Sequence, residues 1–154
     1  MRYIIADDLF LEFTNDVLFK FKKYRQFGNR EEAGGILLGK VFETKVVVDM
    51  ITTPSFWDKA SKLSFTRNVS RAQKIVNLAW ACSSGERIYL GEWHTHPVFK
   101  PTPSPDDKKL ILNMLKDTRM EIDFLFLVIV GLGEEDLYVG YQKNDILRKL
   151  NRLF

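Results

Sequence analysis

Tyr89-Leu90-Gly91-Glu92-Trp93-His94-Thr95-His96-Pro97, then Val98 to Pro103, then Ser104-Pro105-Asp106-Asp107, is the stretch around which the chain is organised. Its first part reads as a strand, Arg87 to Thr95. His94 and His96 are the only histidines in 154 residues, and residues two apart on a strand project to the same side. Both imidazoles therefore converge on one point, and neutral imidazoles are common zinc ligands. Seven residues separate His96 from Ser104, and three of them are proline, Pro97, Pro101 and Pro103. Each proline fixes φ, so the loop returns the next segment to a defined place beside the strand. Ser104 at the N-cap, Pro105 at N1 and Asp107 at N3 start a helix that runs to about Leu115. Carboxylates in that first turn favour the helix dipole without any metal. One of them is also placed to supply a third zinc ligand, leaving the fourth position for water. Glu92 shares the parity of the histidines, and Glu31 and Glu32 precede the next hairpin upstream. Spacing alone does not choose a general base among these three.

Upstream, Ala33 to Phe42 and Lys45 to Thr53 read as an antiparallel hairpin turning at Glu43-Thr44. A first helix is expected from Thr14 or Asn15 to Gly28-Asn29, burying Val17, Leu18, Phe21 and Tyr24. Its opposite side, with Lys20, Lys22, Lys23 and Arg25, reads as a solvated basic face. Pro54 to Arg67 has no periodicity, and loops of that length are often functional; Phe56, Trp57 and Asp58 are candidate substrate contacts there. A second helix, Val69 to Ala81, is expected to face Ile75, Leu78, Ala81 and Cys82 inward, with Cys82 as a small core residue. Downstream come strands Asp123 to Val130 and Leu137 to Gln142, around a hairpin turn at Gly131 to Glu135. That turn is no dinucleotide fingerprint, since neither a third glycine nor a helix start follows. An amphipathic helix from about Asn144 to Leu153 is expected to end the chain. The order predicts one α+β domain over residues 1–154, with a mixed, largely antiparallel sheet flanked by helices.

Composition narrows the function. With 45% hydrophobic residues and 12 Phe, 5 Tyr and 3 Trp, the chain is rich enough in apolar anchors to fold around a core. The net charge of +3 is too mild for a dedicated nucleic-acid binder. A single cysteine excludes a disulfide framework and fits a reducing cytoplasm, the expected location. Phe124 to Val130, the longest apolar run, is too short to span a bilayer.

The pattern H-x-H-P followed by S-x-x-D resembles the signature of the JAB/MPN (JAMM) metallopeptidases. Glu32-Ala33-Gly34-Gly35-Ile36-Leu37-Leu38-Gly39 is similar to that family's upstream E-x-x-G-x-L-L-G element, and the two blocks occur in the family's order. The resemblance implies a cytidine-deaminase-like layout and a Zn2+ ion held by His94, His96 and Asp107. It implies Glu32 as the carboxylate that takes a proton from water and returns it to the leaving amine, and Ser104 as a donor to the oxyanion. Many relatives have Cys where Gly34 stands, which is not a ligand position. Residues 89–97, with Phe65-Thr66-Arg67 and the proline-rich loop, further resemble the stand-alone JAB proteins of bacterial CBASS anti-phage operons. In those systems an E1–E2-like enzyme conjugates the C-terminus of a cGAS-like nucleotidyltransferase (CD-NTase), and the JAB protein removes it. A substrate tail is then expected to lie beside the hairpin and the Pro54–Arg67 loop, adding a strand to an exposed sheet edge, with Trp57 and Arg67 as contacts. Processing of a ubiquitin-like or sulfur-carrier protein is the alternative with the same chemistry. A non-catalytic MPN scaffold is the alternative without it, although such scaffolds typically lack ligands that are all present here.

Overall fold

The structure, a computed structural model, describes residues 1–133 and 136–154. β1 (Arg2–Ala6) and β2 (Leu9–Phe13) form a hairpin where no element was expected, and α1 (Asn15–Lys23) follows with Thr14 as its cap. β3 (Gly34–Val41) and β4 (Lys45–Ile51) make the expected hairpin. The segment without periodicity holds a small separate sheet, β5 (Lys59–Ala60) with β6 (Phe65–Thr66). Then come α2 (Val69–Cys82), β7 (Ile88–Thr95), α3 (Pro105–Asp117), β8 (Phe124–Val130), β9 (Leu137–Lys143), β10 (Ile146–Lys149) and β11 (Asn151–Leu153). Of the turn expected between β8 and β9, Glu134 and Glu135 lie outside the described residues.

The main sheet runs β10-β9-β8-β7-β3-β4-β2-β1-β11. Among the described residues only β2–β4 and β7–β8 pair in parallel, so the sheet is mixed and largely antiparallel, and the fold is α+β. β10 and β11 are consecutive in the chain yet lie at opposite ends of that order. The C-terminal segment therefore bonds to β9 with its first half and to β1 with its second, bridging the two ends. Leu150, buried at the junction, donates its N–H to Val139 O at 2.8 Å. This overturns the expected helix over Asn144 to Leu153. The apolar spacing there is compatible with a helix, but the open edges of β1 and β9 supply hydrogen bonds that a surface helix would leave unmade.

α1 packs on one face of the sheet, where Val17 and Phe21 join Leu37, Val46, Leu90, Trp93 and Phe126. Trp93 is the hub. Its ring lies 5.3 Å from Phe21 and 6.0 Å from Tyr24, and its Nε1 donates to Thr52 O at 2.9 Å. Burial of each such side chain contributes about 1.5–3 kcal/mol. α2 and α3 cover the other face: Ala72 and Ala79 over Ile36 and Leu38, and Ile111 over Leu125, Leu127 and Ile129.

Two helix expectations need correction. α1 ends at Lys23, earlier than Gly28, because Gln26 leaves the helix to bond with Thr95 and Lys62. On α2 the inward face is Ala72, Ile75, Val76 and Ala79, while Leu78, Ala81 and Cys82 are exposed. The helix phase is set by the two alanines, whose small side chains let it approach the sheet. Among the described residues, no helix is long and apolar enough to cross a membrane.

Candidate metal centre

β7 lies between antiparallel β3 and parallel β8, so it has no free edge and its side chains alternate strictly near its end. Trp93 points into the α1-side core, and Glu92 and His94 point to the side of α2 and α3. A bulge at Leu90-Gly91, where Gly91 has φ +145°, shifts this alternation by one residue in the earlier part of the strand. Tyr89 thereby shares a side with Glu92, and its hydroxyl donates to Glu92 Oε1 at 3.0 Å. A Cβ on Gly91 would collide with the Phe126 backbone, so the bulge requires glycine.

The proline-rich loop is pinned at its start to the end of β8 and the turn after it. His96 N–H donates to Val130 O at 3.0 Å, and Leu132 N–H to Val98 O at 2.9 Å. α3 then starts with a reciprocal capping box: Ser104 Oγ accepts from Asp107 N–H at 3.1 Å, and Asp107 Oδ2 accepts from Ser104 N–H at 2.8 Å. This fixes the Asp107 carboxylate with Oδ1 3.1 Å from His94 Nε2 and Oδ2 3.3 Å from His96 Nε2. The bond that caps the helix therefore also aims the Asp107 carboxylate at both imidazoles. The imidazole centroids are 5.0 Å apart.

Glu32 is delivered from the other side. Ala33 N–H donates to Thr95 Oγ1 and Thr95 N–H to Ala33 O, both at 2.9 Å, while Thr95 Oγ1 donates to Gln26 Oε1 at 3.2 Å. This buried clamp holds the residue just before β3 against the end of β7. Glu32 N–H also donates to Ser61 O at 2.7 Å, tying it to the β5–β6 hairpin. Phe65 of that hairpin lies where a Cβ on Gly34 would sit, 2.6 Å from Cδ1, which accounts for glycine at this position. As a result, one ligand atom each from Glu32, His94 and His96 falls within 4.8 Å of the others.

Burial raises the Glu32 carboxyl above its ordinary range, and the two histidines pull it partly back. Burial acts on Asp107 in the same direction, but the histidines and the Ser104 N–H outweigh it and hold that carboxyl far below the usual range. His94 Nε2 is buried with no hydrogen-bond partner among the described residues, although a carboxylate oxygen lies close by. An orphaned imidazole nitrogen facing carboxylates and a second imidazole is the donor set of a divalent cation such as zinc, so these residues fit the ion.

The other candidates separate. Glu92 is buried and bonded to Arg67, whose Nε and Nη2 reach its oxygens at 2.8–3.1 Å. Burial raises the Glu92 carboxyl, against the pull of Arg67 and the Tyr89 hydroxyl. Arg67 is thus turned inward as the counter-ion of Glu92, not outward to a substrate. Sequence reasoning missed this pair; glycine inside the β7 pattern was the available signal of a bulge. Asp58 is likewise committed, accepting from Ser55 and Asn68 N–H groups. Glu31 and Asp106 are exposed. Trp57 is exposed against Phe56, their rings 6.1 Å apart. A cleft of about 650 Å³ opens at Glu32 between α1 and the β5–β6 sheet, lined by Tyr24, Arg30, Phe56, Ala60 and Phe65 among others.

Fold and site together define a JAB/MPN-type domain. A JAB1/MPN domain protein from Archaeoglobus fulgidus superposes with TM-score 0.51 and 15% identity, covering 92% of this chain and 94% of that one. A Desulfitobacterium hafniense protein solved in solution gives TM-score 0.63 at 18% identity, over 90% and 88% of the two chains. Residues 16–140 match the family described as prokaryotic homologs of the JAB domain, and the chain belongs to that family. Among its relatives is a Pseudomonas aeruginosa protein named CD-NTase/cGAS isopeptidase, 36% identical over 129 residues, 82% of this chain and 81% of that protein. A Vibrio cholerae protein of the same name is 28% identical over 148 residues, 95% and 90% of the two chains.

Proposed function

We propose that this chain is a zinc-dependent isopeptidase acting in the cytoplasm in anti-phage defence. Its substrate is a CD-NTase whose C-terminus an E1–E2-like enzyme has conjugated to a target, and it hydrolyses the bond after that C-terminus. The observation that carries the reading is the convergence of Glu32, His94, His96 and Asp107 around the orphaned Nε2 of His94. The names of the relatives supply the substrate class.

In this reading His94, His96 and Asp107 hold zinc. Bound zinc supplies Lewis acidity that makes water nucleophilic and a carbonyl electrophilic near neutral pH. Glu32 accepts a proton at its carboxylate as the water oxygen bonds to the scissile carbonyl carbon, and its burial makes it a stronger base than an exposed glutamate. When the C–N bond breaks, Glu32 returns that proton to the leaving amine. Ser104 Oγ accepts from the Asp107 N–H, so its own O–H is left to donate to the oxygen that gains charge. The tail of the substrate runs through the cleft beside the β5–β6 sheet, over Phe56 in its lining, with exposed Trp57 packed against Phe56 as a further contact.

Incubation with a CD-NTase joined through its C-terminus to a lysine side chain tests this directly. Mass spectrometry should show release of CD-NTase with a free C-terminal carboxylate. Cleavage confined to a ubiquitin-like or sulfur-carrier fusion would move the substrate assignment. Intact conjugates of every kind, with zinc present, would leave a scaffold.

A further inference from the structure

Arg30 lines the cleft two residues before Glu32, so their Cα atoms are within about 7 Å. Its Nη1 donates to Lys23 O at 3.1 Å and to Arg25 O at 3.2 Å. These carbonyls fix the guanidinium but carry no formal charge to oppose it. Among the described residues no carboxylate pairs with Arg30. Nor does one pair with Lys23, which also lines the cleft, its ammonium 5.6 Å from the centre of the Tyr24 ring.

Of the carboxylates lining the cleft, Glu31, Glu32 and Asp58, none forms an ion pair with either cation among the described residues. Asp58 is bonded to two backbone N–H groups and lies 3.9 Å from Arg71. Glu32 faces the histidines, and exposed Glu31 forms no ion pair among the described residues. A guanidinium already held in place, with Nε and Nη2 still able to donate, is preorganised for a two-point bond to a carboxylate.

We propose that Arg30, assisted by Lys23, makes this enzyme selective for tails that carry an aspartate or glutamate side chain close to the scissile bond. The proposal rests on the isopeptidase reading and assigns its cleft a specificity that the catalytic residues do not supply.

The test is a set of CD-NTase tail conjugates with each of the last several residues replaced in turn by Asp, Asn or Lys. Wild type should prefer Asp over Lys at one position by about ten- to hundredfold in kcat/KM, the scale of a charge-assisted hydrogen bond. Arg30→Gln should flatten that ratio, and Arg30→Glu should reverse it in favour of Lys. The reversal also shows that the variant is folded. Cleavage that is blind to charge at every position would overturn the proposal alone, as would an unchanged Asp preference in Arg30→Gln. No cleavage of any tail would overturn the isopeptidase reading and this proposal with it.

Discussion

Glu32→Gln is expected to leave zinc content unchanged and to lower kcat by about 10²- to 10⁴-fold, the usual contribution of a positioned general base. The substitution keeps the size of the side chain and every backbone bond that places it, including Ala33 to Thr95 and Glu32 to Ser61. It removes only the ability to take a proton. Metal analysis alongside kinetics separates two roles that the geometry leaves adjacent, because Glu32 lies within ligand distance of the histidines. Loss of zinc from Glu32→Gln would make Glu32 a ligand rather than the base. Full activity would remove it from the mechanism.

Arg67→Ala is expected to destabilise the fold by about 3–5 kcal/mol, the cost of stripping the partner from a buried charge. In a domain of this size that is roughly 10 °C or more in Tm. Glu92 is 4% exposed and would be left with only the Tyr89 hydroxyl. Burial already raises the folded-state value of Glu92 above its unfolded one, and without Arg67 it rises further. The favourable contribution of such a group is complete below the unfolded carboxylate value of about 4.3 and is lost as pH rises through the folded value. The deficit of Arg67→Ala against wild type should therefore be small near pH 5 and largest near pH 8. Replacing both partners, Arg67→Met with Glu92→Leu, should recover most of the loss. Melting curves at the two pH values decide it, and a variant that melts with wild type at both would show that the pair is solvated.

Much of the site was legible because the chemistry and the local folding signals coincide. Ser104, Pro105 and Asp107 start a helix for reasons of capping, and the same cap aims the carboxylate at His94 and His96. Strand parity placed the two histidines together without any tertiary information. What the sequence did not disclose depends on contacts between distant segments. Arg67 meets Glu92 across 25 residues, and Thr95 meets Gln26 across 69. The C-terminal strands are the clearest case. Their pattern fits a helix locally, and only the two sheet edges they bridge make them strands. A cue was present in Asn144-Asp145, the two residues between paired Lys143 and Ile146, with Asn144 at φ +52°. Cys82 misled in the other direction: as a residue type it favours the interior, but the helix phase turns it to solvent.

The metal content of untagged protein, purified without chelators and compared with His94→Ala, tests the centre of this account most directly. About one zinc per chain is expected in the wild type, the capacity of one site with three protein ligands, and its loss in His94→Ala. A chain that stays metal-free after zinc is added, or a His94→Ala variant that binds as much as wild type, would contradict it.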